Sequence, residues 1–262
     1  MKDNKNFRRH DIHEEYESSE NITAGRNSVR ELLASGRDID KVYVQKGERT
    51  GSITSLIADA RSRGIPVVEC EKSKLDKISS GVNHQGIVCF SAEKEYCEVD
   101  DIIAYAESLE QKPFIVIADK IEDPHNLGAL IRSAEGAGAH GMIIPKRKGA
   151  MLTQVVSKAS AGALEHLRIA KVTNLAVTVD ELKEKGLWIF GAEAGGQSCY
   201  EQDLTCSAGI ILGSEGKGIS KLLRDKCDFI LSIPMYGKVN SFNVSVAGGI
   251  IFSEVARQRN IK

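Results

Sequence analysis

The 262-residue sequence has no C-x-x-C pair among its six cysteines, no cluster among its six histidines, only five prolines, and one tryptophan. Zinc sites and disulfide frameworks need paired, closely spaced ligands, so the thiols are read as reduced and no metal is expected. Five prolines and no Gly-x-y period exclude a collagen-like chain, and the 27% charged fraction is too ordinary for global disorder. No apolar run approaches the roughly 18 residues of a membrane-spanning helix. The N-terminal MKDNKNFRRHDIHEEYESSEN is charged throughout and lacks the apolar stretch of a secretory signal. A soluble, cytoplasmic protein without a membrane partner is expected. An excess of charge of one sign is missing too, with 35 Lys plus Arg against 36 Asp plus Glu. That balance neither requires nor excludes nucleic acid, because clustering on one face matters more than the total.

What is present is a core and an internal division. Apolar residues make up 42%, with 24 glycines besides, enough for one large domain or two modest ones of roughly 100–200 residues. Residues 1–20 are polar and mixed in charge and are expected to form a flexible tail. Residues 21–92 carry 11 positive and 8 negative side chains, residues 93–112 carry 2 and 7, and residues 113–262 carry 18 and 15. An acidic linker or helix therefore separates two mildly basic blocks. In the first block RNSVRELLAS, SLIADARSRG and SKLDKISS read as helices, and KVYVQ, IPVVEC and HQGIVCFS as strands, a small α/β domain. The acidic VDDIIAYAESLEQK reads as a helix. After Pro113 come short apolar strands (FIVIAD, GMIIP, LWIFGAE, GIILGS, FILSIPM) separated by helical stretches, and a last helix spans about 243–258. Continuous apolar strands alternating with helices indicate a largely parallel sheet covered on both faces.

Two nucleotide motifs are only superficially present. GAGAHG places Gly136, Gly138 and Gly141 in a G-x-G-x-x-G pattern, but it closes a helix and precedes a strand, and the position about 20 residues on is Ala161. GSEGKGIS has Ile211 where a phosphate-binding loop needs its first Gly, and Gly218 follows Lys217 in place of Ser or Thr. Three polar islands remain, each at the end of an apolar strand, where open α/β sheets bind ligands. DKIEDPHNLGALIRSAEGAG contains Asn126 and, six residues on, Arg132 among small and apolar neighbours. Arg132 is a ligand-directed cation or the partner of a carboxylate such as Glu135. LGSEGKG presents Glu215 between two glycines, at a site or on a plain turn. IPMYGKVNSFNVSVAGGI runs Ser241, Asn243 and Ser245 into a helix, more small polar residues than one helix cap needs. Together they suggest one composite pocket.

DPHNLGALIRSAEGAG, LGSEGKGIS and IPMYGKVNSFNVSVA resemble, in order and spacing, the three signature motifs of the SpoU (TrmH-like) family of RNA ribose 2′-O-methyltransferases. GRNSVRELL and NHQGIV resemble the small L30e-like substrate-binding domain of some members, an arrangement most like the bacterial enzymes that methylate a guanosine 2′-hydroxyl in 23S rRNA. The resemblance implies an α/β fold with a C-terminal SPOUT domain tied in a trefoil knot (113–262) and an N-terminal L30e-like domain (21–92). It implies S-adenosylmethionine as methyl donor, RNA as partner with 23S rRNA favoured over tRNA, and a homodimer. By motif position, Asn126, Arg132, Glu215, Ser241 and Asn243 carry catalysis, and Leu212, Gly213, Ile233, Met235 and Phe242 line the cofactor. Phe242 stands where the family usually has Leu. In the first domain Arg26, Arg30, Asn83 and His84 are RNA contacts or a solvated face with caps. The rivals are a tRNA ribose methyltransferase, a non-catalytic RNA- or ribosome-binding protein, and a nucleotide-dependent dehydrogenase resting on GAGAHG alone.

Overall fold

The computed structural model describes residues 22–47 and 51–260, so the expected flexible tail lies outside the described residues. The N-terminal unit runs β1 (Ile22–Ala24), α1 (Arg26–Ser35), β2 (Ile39–Gln45), α2 (Gly51–Ser62), β3 (Val67–Cys70), α3 (Lys72–Ile78) and β4 (Ile87–Ser91). Its four strands are ordered β1-β4-β2-β3, with β4 antiparallel to both neighbours and β2 parallel to β3. In α1, Val29, Leu32 and Leu33 are buried at helical spacing, and Gly36 ends the helix in the left-handed region at φ 79°.

The acidic segment 93–112 is more than a spacer. It contains α4 (Val99–Ser108), whose Ile102 and Ala106 are fully buried, with Ile102 in the core of the second sheet. That sheet follows: β5 (Phe114–Asp119), α5 (Pro124–Gly136), β6 (Gly141–Pro145), α6 (Gln154–Ala159), β7 (Arg168–Val172), α7 (Leu175–Glu184), β8 (Trp188–Ser198), β9 (Ala208–Gly213), α8 (Lys221–Arg224), β10 (Phe229–Ser232) and α9 (Val244–Asn260). Its order is β10-β8-β9-β5-β6-β7 and every pairing is parallel. Along β5, Phe114, Val116 and Ala118 enter the core with Leu127, Leu130 and Phe252 of α5 and α9. Ile115 and Ile117 enter the opposite core with Leu175, Val179 and Leu182 of α7. Burial on both faces is why FIVIA carries no polar alternation. α9 lies close on α5: a Cβ at Gly248 would sit 2.4 Å from Leu130 Cδ2.

The chain builds β5, β6 and β7 outward in one direction, then returns to build β8, β9 and β10 on the other side. The order therefore reverses between β5 and β9, which opens a crevice beyond their carboxyl ends. The two sheets are tied together as well. The Arg37 guanidinium donates to both oxygens of Glu165 (2.9 and 2.8 Å) and to Ser91 Oγ (3.0 Å), and the Glu165 side chain is 2% exposed. His166 Nε2 meets Glu31 Oε2 at 2.9 Å on the same seam.

Candidate active site

The crevice at the sheet's switch point gathers the three polar islands. Pro124 opens α5 where its missing N–H costs nothing, and Asp123 caps the helix by accepting from the His125 N–H at 2.8 Å. That puts Asn126 in the first turn, buried, with its Nδ2 donating to Glu215 Oε1 at 3.1 Å. Asn243 Nδ2 donates to Asn126 Oδ1 at 3.0 Å and also to Glu215 Oε1. The other end of the Asn243 amide accepts from Ser245 N (2.9 Å) and Ser245 Oγ (2.6 Å), so one side chain caps α9 and closes the cluster. Glu215 is presented by a turn in which Gly216 and Gly218 have φ of 76° and 64°. Asp119, buried at the end of β5, holds that turn by accepting from Ser220 N at 2.7 Å.

Beside this cluster lies a cleft of about 530 Å³, a size that suits a small ligand. It is lined by Leu212, Gly213, Ile233, Met235 and Phe242, the positions matched to cofactor contact, and by Glu215, Ser241 and Asn243. Gly213 admits no side chain, because a Cβ there would lie 2.1 Å from the carbonyl carbon of Gly218. Among the described residues the charged side chains lining the cleft are two carboxylates, Glu193 and Glu215, and no Lys, Arg or His lines it. Glu193 is held by Arg224 Nε at 2.6 Å. The cleft wall of Ala192, Glu193 and Ala194 comes from β8, which extends the strand read from LWIFGAE, but none of the three was among the expected site residues. Asp119 was missed as well, although an acid ending the FIVIA strand was a usable signal.

Two expected residues do not line the cleft. Asn126 joins the cluster through Glu215 and Asn243, whereas Arg132 is exposed on α5, apart from both. Among the described residues Arg132 makes no hydrogen bond or ion pair, including none to Glu135. In the N-terminal unit, Arg26, Asn83 and His84 border a second cleft of about 400 Å³ together with Lys72, and Arg30 is exposed outside it. Arg26 is engaged: its Nε donates to Gln85 O at 3.1 Å and a terminal nitrogen to Ser52 Oγ at 3.0 Å. His84 is 5% exposed, with Nε2 at 3.0 Å from Asp76 Oδ1 and Nδ1 accepting from Gly86 N at 2.9 Å. Its ring organises the turn and presents little surface to a ligand.

Nucleophilic sulfur is disfavoured by the same geometry. Burial raises all six thiols above the ordinary cysteine value, Cys227 to about 11, so they stay protonated near neutrality. Among the described residues no group of three or more His, Cys, Asp or Glu side chains could hold a metal ion. No described helix is long and apolar enough to cross a membrane.

Comparison with known proteins agrees with this geometry. Residues 113–253 match the SpoU rRNA Methylase family, and residues 23–97 match the family described as RNA 2′-O ribose methyltransferase substrate binding. A Bacillus subtilis (strain 168) protein, whose name assigns it to the TrmH family of tRNA/rRNA methyltransferases, is 43% identical over 237 residues, covering 90% of this chain and 95% of that protein. A protein of Staphylococcus haemolyticus (strain JCSC1435) with the same family name is 43% identical over 241 residues, covering 91% and 96%. The fold is shared with the SpoU methyltransferase AviRb of Streptomyces viridochromogenes, solved in complex with the cofactor AdoMet. The TM-score is 0.75 at 22% identity, over 91% of this chain and 90% of that one.

Proposed function

Because the chain belongs to the SpoU rRNA methylase family, we propose that it transfers a methyl group from S-adenosylmethionine to a ribose 2′-hydroxyl of RNA, with a guanosine of 23S rRNA as target. The observation that carries this reading is the convergence of Asn126, Glu215 and Asn243, from three distant motifs, on one hydrogen-bonded cluster beside the cleft. The cleft's chemistry fits the donor. Apolar walls at Leu212, Ile233 and Phe242 suit an adenine ring, and Glu215, with no cation in the cleft lining to pair it, suits a ligand bearing a sulfonium and an ammonium. A dinucleotide or triphosphate would set its phosphates against Glu215 with no cation in the cleft lining to hold them, the nearby Arg224 being paired with Glu193, which argues against a dehydrogenase. The intact cluster argues against a non-catalytic RNA-binding protein.

In this reading residues 21–92 bind substrate, 93–112 connect, and 113–262 carry the methyl transfer. In the same reading the last segment threads a trefoil knot, while the tight approach of Gly213 to Gly218 belongs to the local turn in which Gly218 N donates to Ser214 O at 2.9 Å. When bound, S-adenosylmethionine supplies an electrophilic methyl. The protein's task is to hold the ribose oxygen in line with it, and proximity contributes much of the acceleration. Asn126 and Asn243 orient Glu215, and Asn243 joins that network to the start of α9. Arg132 cannot act as a base, since a guanidinium stays protonated and has no acceptor. It binds the adjacent phosphate and stabilises charge developing on the 2′-oxygen. Within one chain Arg132 is outside the cleft lining, and a homodimer is the arrangement that would bring it to a neighbouring cleft.

The test is methyl transfer from labelled S-adenosylmethionine to RNA from bacteria lacking this enzyme. Label in large-subunit rRNA, protecting one linkage from alkaline cleavage, is expected. Label confined to tRNA keeps the chemistry and replaces the target, a choice that the tRNA/rRNA wording of the relatives' names leaves room for. Near-normal turnover of Arg132→Ala at saturating RNA and cofactor would remove Arg132 from the mechanism.

A further inference from the structure

The carboxyl edge of the six-stranded sheet differs in charge between its two sides. On the β9 side the charged residues in the cleft lining are Glu215 and Glu193, the latter paired with Arg224, and exposed Lys217 follows in the Glu215 turn. On the β6 side the chain leaves Pro145 as Lys146, Arg147 and Lys148, all exposed, and Lys120 follows directly on β5. Registers Ile117↔Ile143 and Ile143↔Ala170 set the ends of β5, β6 and β7 level, with neighbouring strands roughly 5 Å apart. These cations therefore share one rim, next to the segment that leads into Asn126.

The loop is pinned at both ends. Lys146 N donates to Val172 O at 2.8 Å, and Ala150 N donates to Ile121 O at 2.7 Å. Lys148 holds a left-handed φ of 62°. Among the described residues, the side chains of Lys146, Arg147 and Lys148 form no hydrogen bond or ion pair. The opposing charges nearby are Glu122 and Asp123, both exposed, and buried Asp119, whose Oδ1 is 4.0 Å from Lys120 Nζ. Lys171 on β7 is already placed over the Tyr96 ring, 4.6 Å from its centroid. Three successive cations repel one another, and a loop fixed at both ends does little to relieve that. A surface needing only solubility mixes its signs. Polyanions relieve the repulsion and gain by releasing counterions.

We propose that Lys146, Arg147 and Lys148, with Lys120, form a phosphate-gripping track for the RNA backbone. RNA and methyl donor then reach the Asn126–Glu215–Asn243 cluster from opposite sides of the switch point. The cleft side offers the cationic donor carboxylates, while the β6 side offers phosphates three successive cations. This inference rests on the RNA methyltransferase reading above and adds where the RNA lies.

The test uses the full chain carrying Lys146→Gln, Arg147→Gln and Lys148→Asn, the last because Asn tolerates the left-handed backbone. Binding of unmodified large-subunit rRNA and tRNA transcripts is measured across a salt series, and binding of S-adenosylmethionine is measured separately by calorimetry. For the transcript that the parent chain methylates, affinity is expected to fall about tenfold or more, and the log–log salt slope to lose about one per cation removed. Cofactor affinity is expected to hold, and the charge-preserving pair Lys146→Arg with Arg147→Lys to bind RNA like the parent. Unchanged RNA affinity and slope, in a chain that still transfers methyl, would overturn the track and leave the methyltransferase reading standing. A parent chain that binds cofactor but no RNA would overturn both.

Discussion

The N-terminal and C-terminal polar clusters dispose of their hydrogen bonds differently. In the N-terminal unit Arg26 is engaged by Gln85 and Ser52, and both ring nitrogens of His84 are taken by Asp76 and Gly86. At the sheet's switch point Asn126, Glu215 and Asn243 bond to one another, yet unused capacity remains. Among the described residues Glu215 Oε2, the Ser241 hydroxyl and the Arg132 guanidinium have no partner, and Glu215 and Ser241 line a cleft. A cluster that closes on itself holds a fold, because buried polar groups must be paired. A cluster that closes only in part, at an open cleft, leaves polar atoms available to a ligand or to water. The distinction separates His84 from Glu215 and Ser241, although all three were candidate site residues in the sequence.

The largest break in this comparison comes from Gly213→Ala. The added methyl would lie 2.1 Å from the Gly218 carbonyl carbon, so the cleft floor must shift. Overpacking of this kind costs about 1–3 kcal/mol, roughly ten- to hundredfold in cofactor affinity if it falls on the cleft. Calorimetry with S-adenosylmethionine checks it, with circular dichroism to show that the fold survives. Parent-like affinity would mean the cleft is not the donor site. Next is Glu215→Gln, which keeps the shape but can turn its new amide donor toward those of Asn126 and Asn243. Loss of a charged acceptor for two donors costs about 1–3 kcal/mol, about a ten- to hundredfold fall in turnover, with RNA affinity less affected. If the variant loses stability while turnover stays normal, the C-terminal cluster is as closed as the N-terminal one.

A smaller effect is expected from His84→Ala. It leaves the Gly86 N–H without its acceptor and Asp76 without its partner, at a stability cost of about 1–2 kcal/mol in thermal or urea unfolding. The RNA affinity should follow only as the turn loosens. Full stability together with abolished RNA binding would instead make His84 a direct contact.

These contrasts mark what a sequence can disclose. FIVIAD, GMIIP and GIILGS announce buried parallel strands because both faces need apolar residues, and the islands after them stood out as polar. Short or amphipathic pieces stayed hidden. β1 has three residues, too few for alternation to register, and RIAKV of β7 places basic residues at its first and fourth positions. QVVSKA of α6 is too short to show helical periodicity. The acidic look of 93–112 concealed Ile102 and Ala106, which anchor α4 to the core. At the site, residue types at Asn126, Glu215 and Asn243 were visible, but a bond between positions 117 apart depends on topology. Whether Arg26 and His84 are free or engaged depends equally on Ser52, Gln85 and Asp76, whose proximity is a property of the fold.

The gentlest test uses a second closed histidine at the amino end of the parallel sheet. His140 Nδ1 accepts from Phe114 N at 2.9 Å and Nε2 lies 3.0 Å from Gln111 Oε1, an arrangement that suits the neutral ring. Burial, helped by the charge of Arg259, holds its pKa below the ordinary histidine value. The unfolded chain therefore takes up a proton before the native one does. The contribution is intact above the ordinary histidine range and is lost as pH falls through that range toward the native value. Thermal unfolding at pH 7.5 and 5.5 should show the parent losing more stability on acidification than His140→Gln, whose own cost at pH 7.5 is about 1 kcal/mol. Parallel losses in the two proteins would remove His140 as the source. A closed cluster answers protonation through stability alone, so cofactor affinity per folded molecule should not distinguish the parent from His140→Gln at either pH. A difference there would show that the amino end of the sheet communicates with the cleft at its carboxyl end, and that the closed and open clusters are not independent.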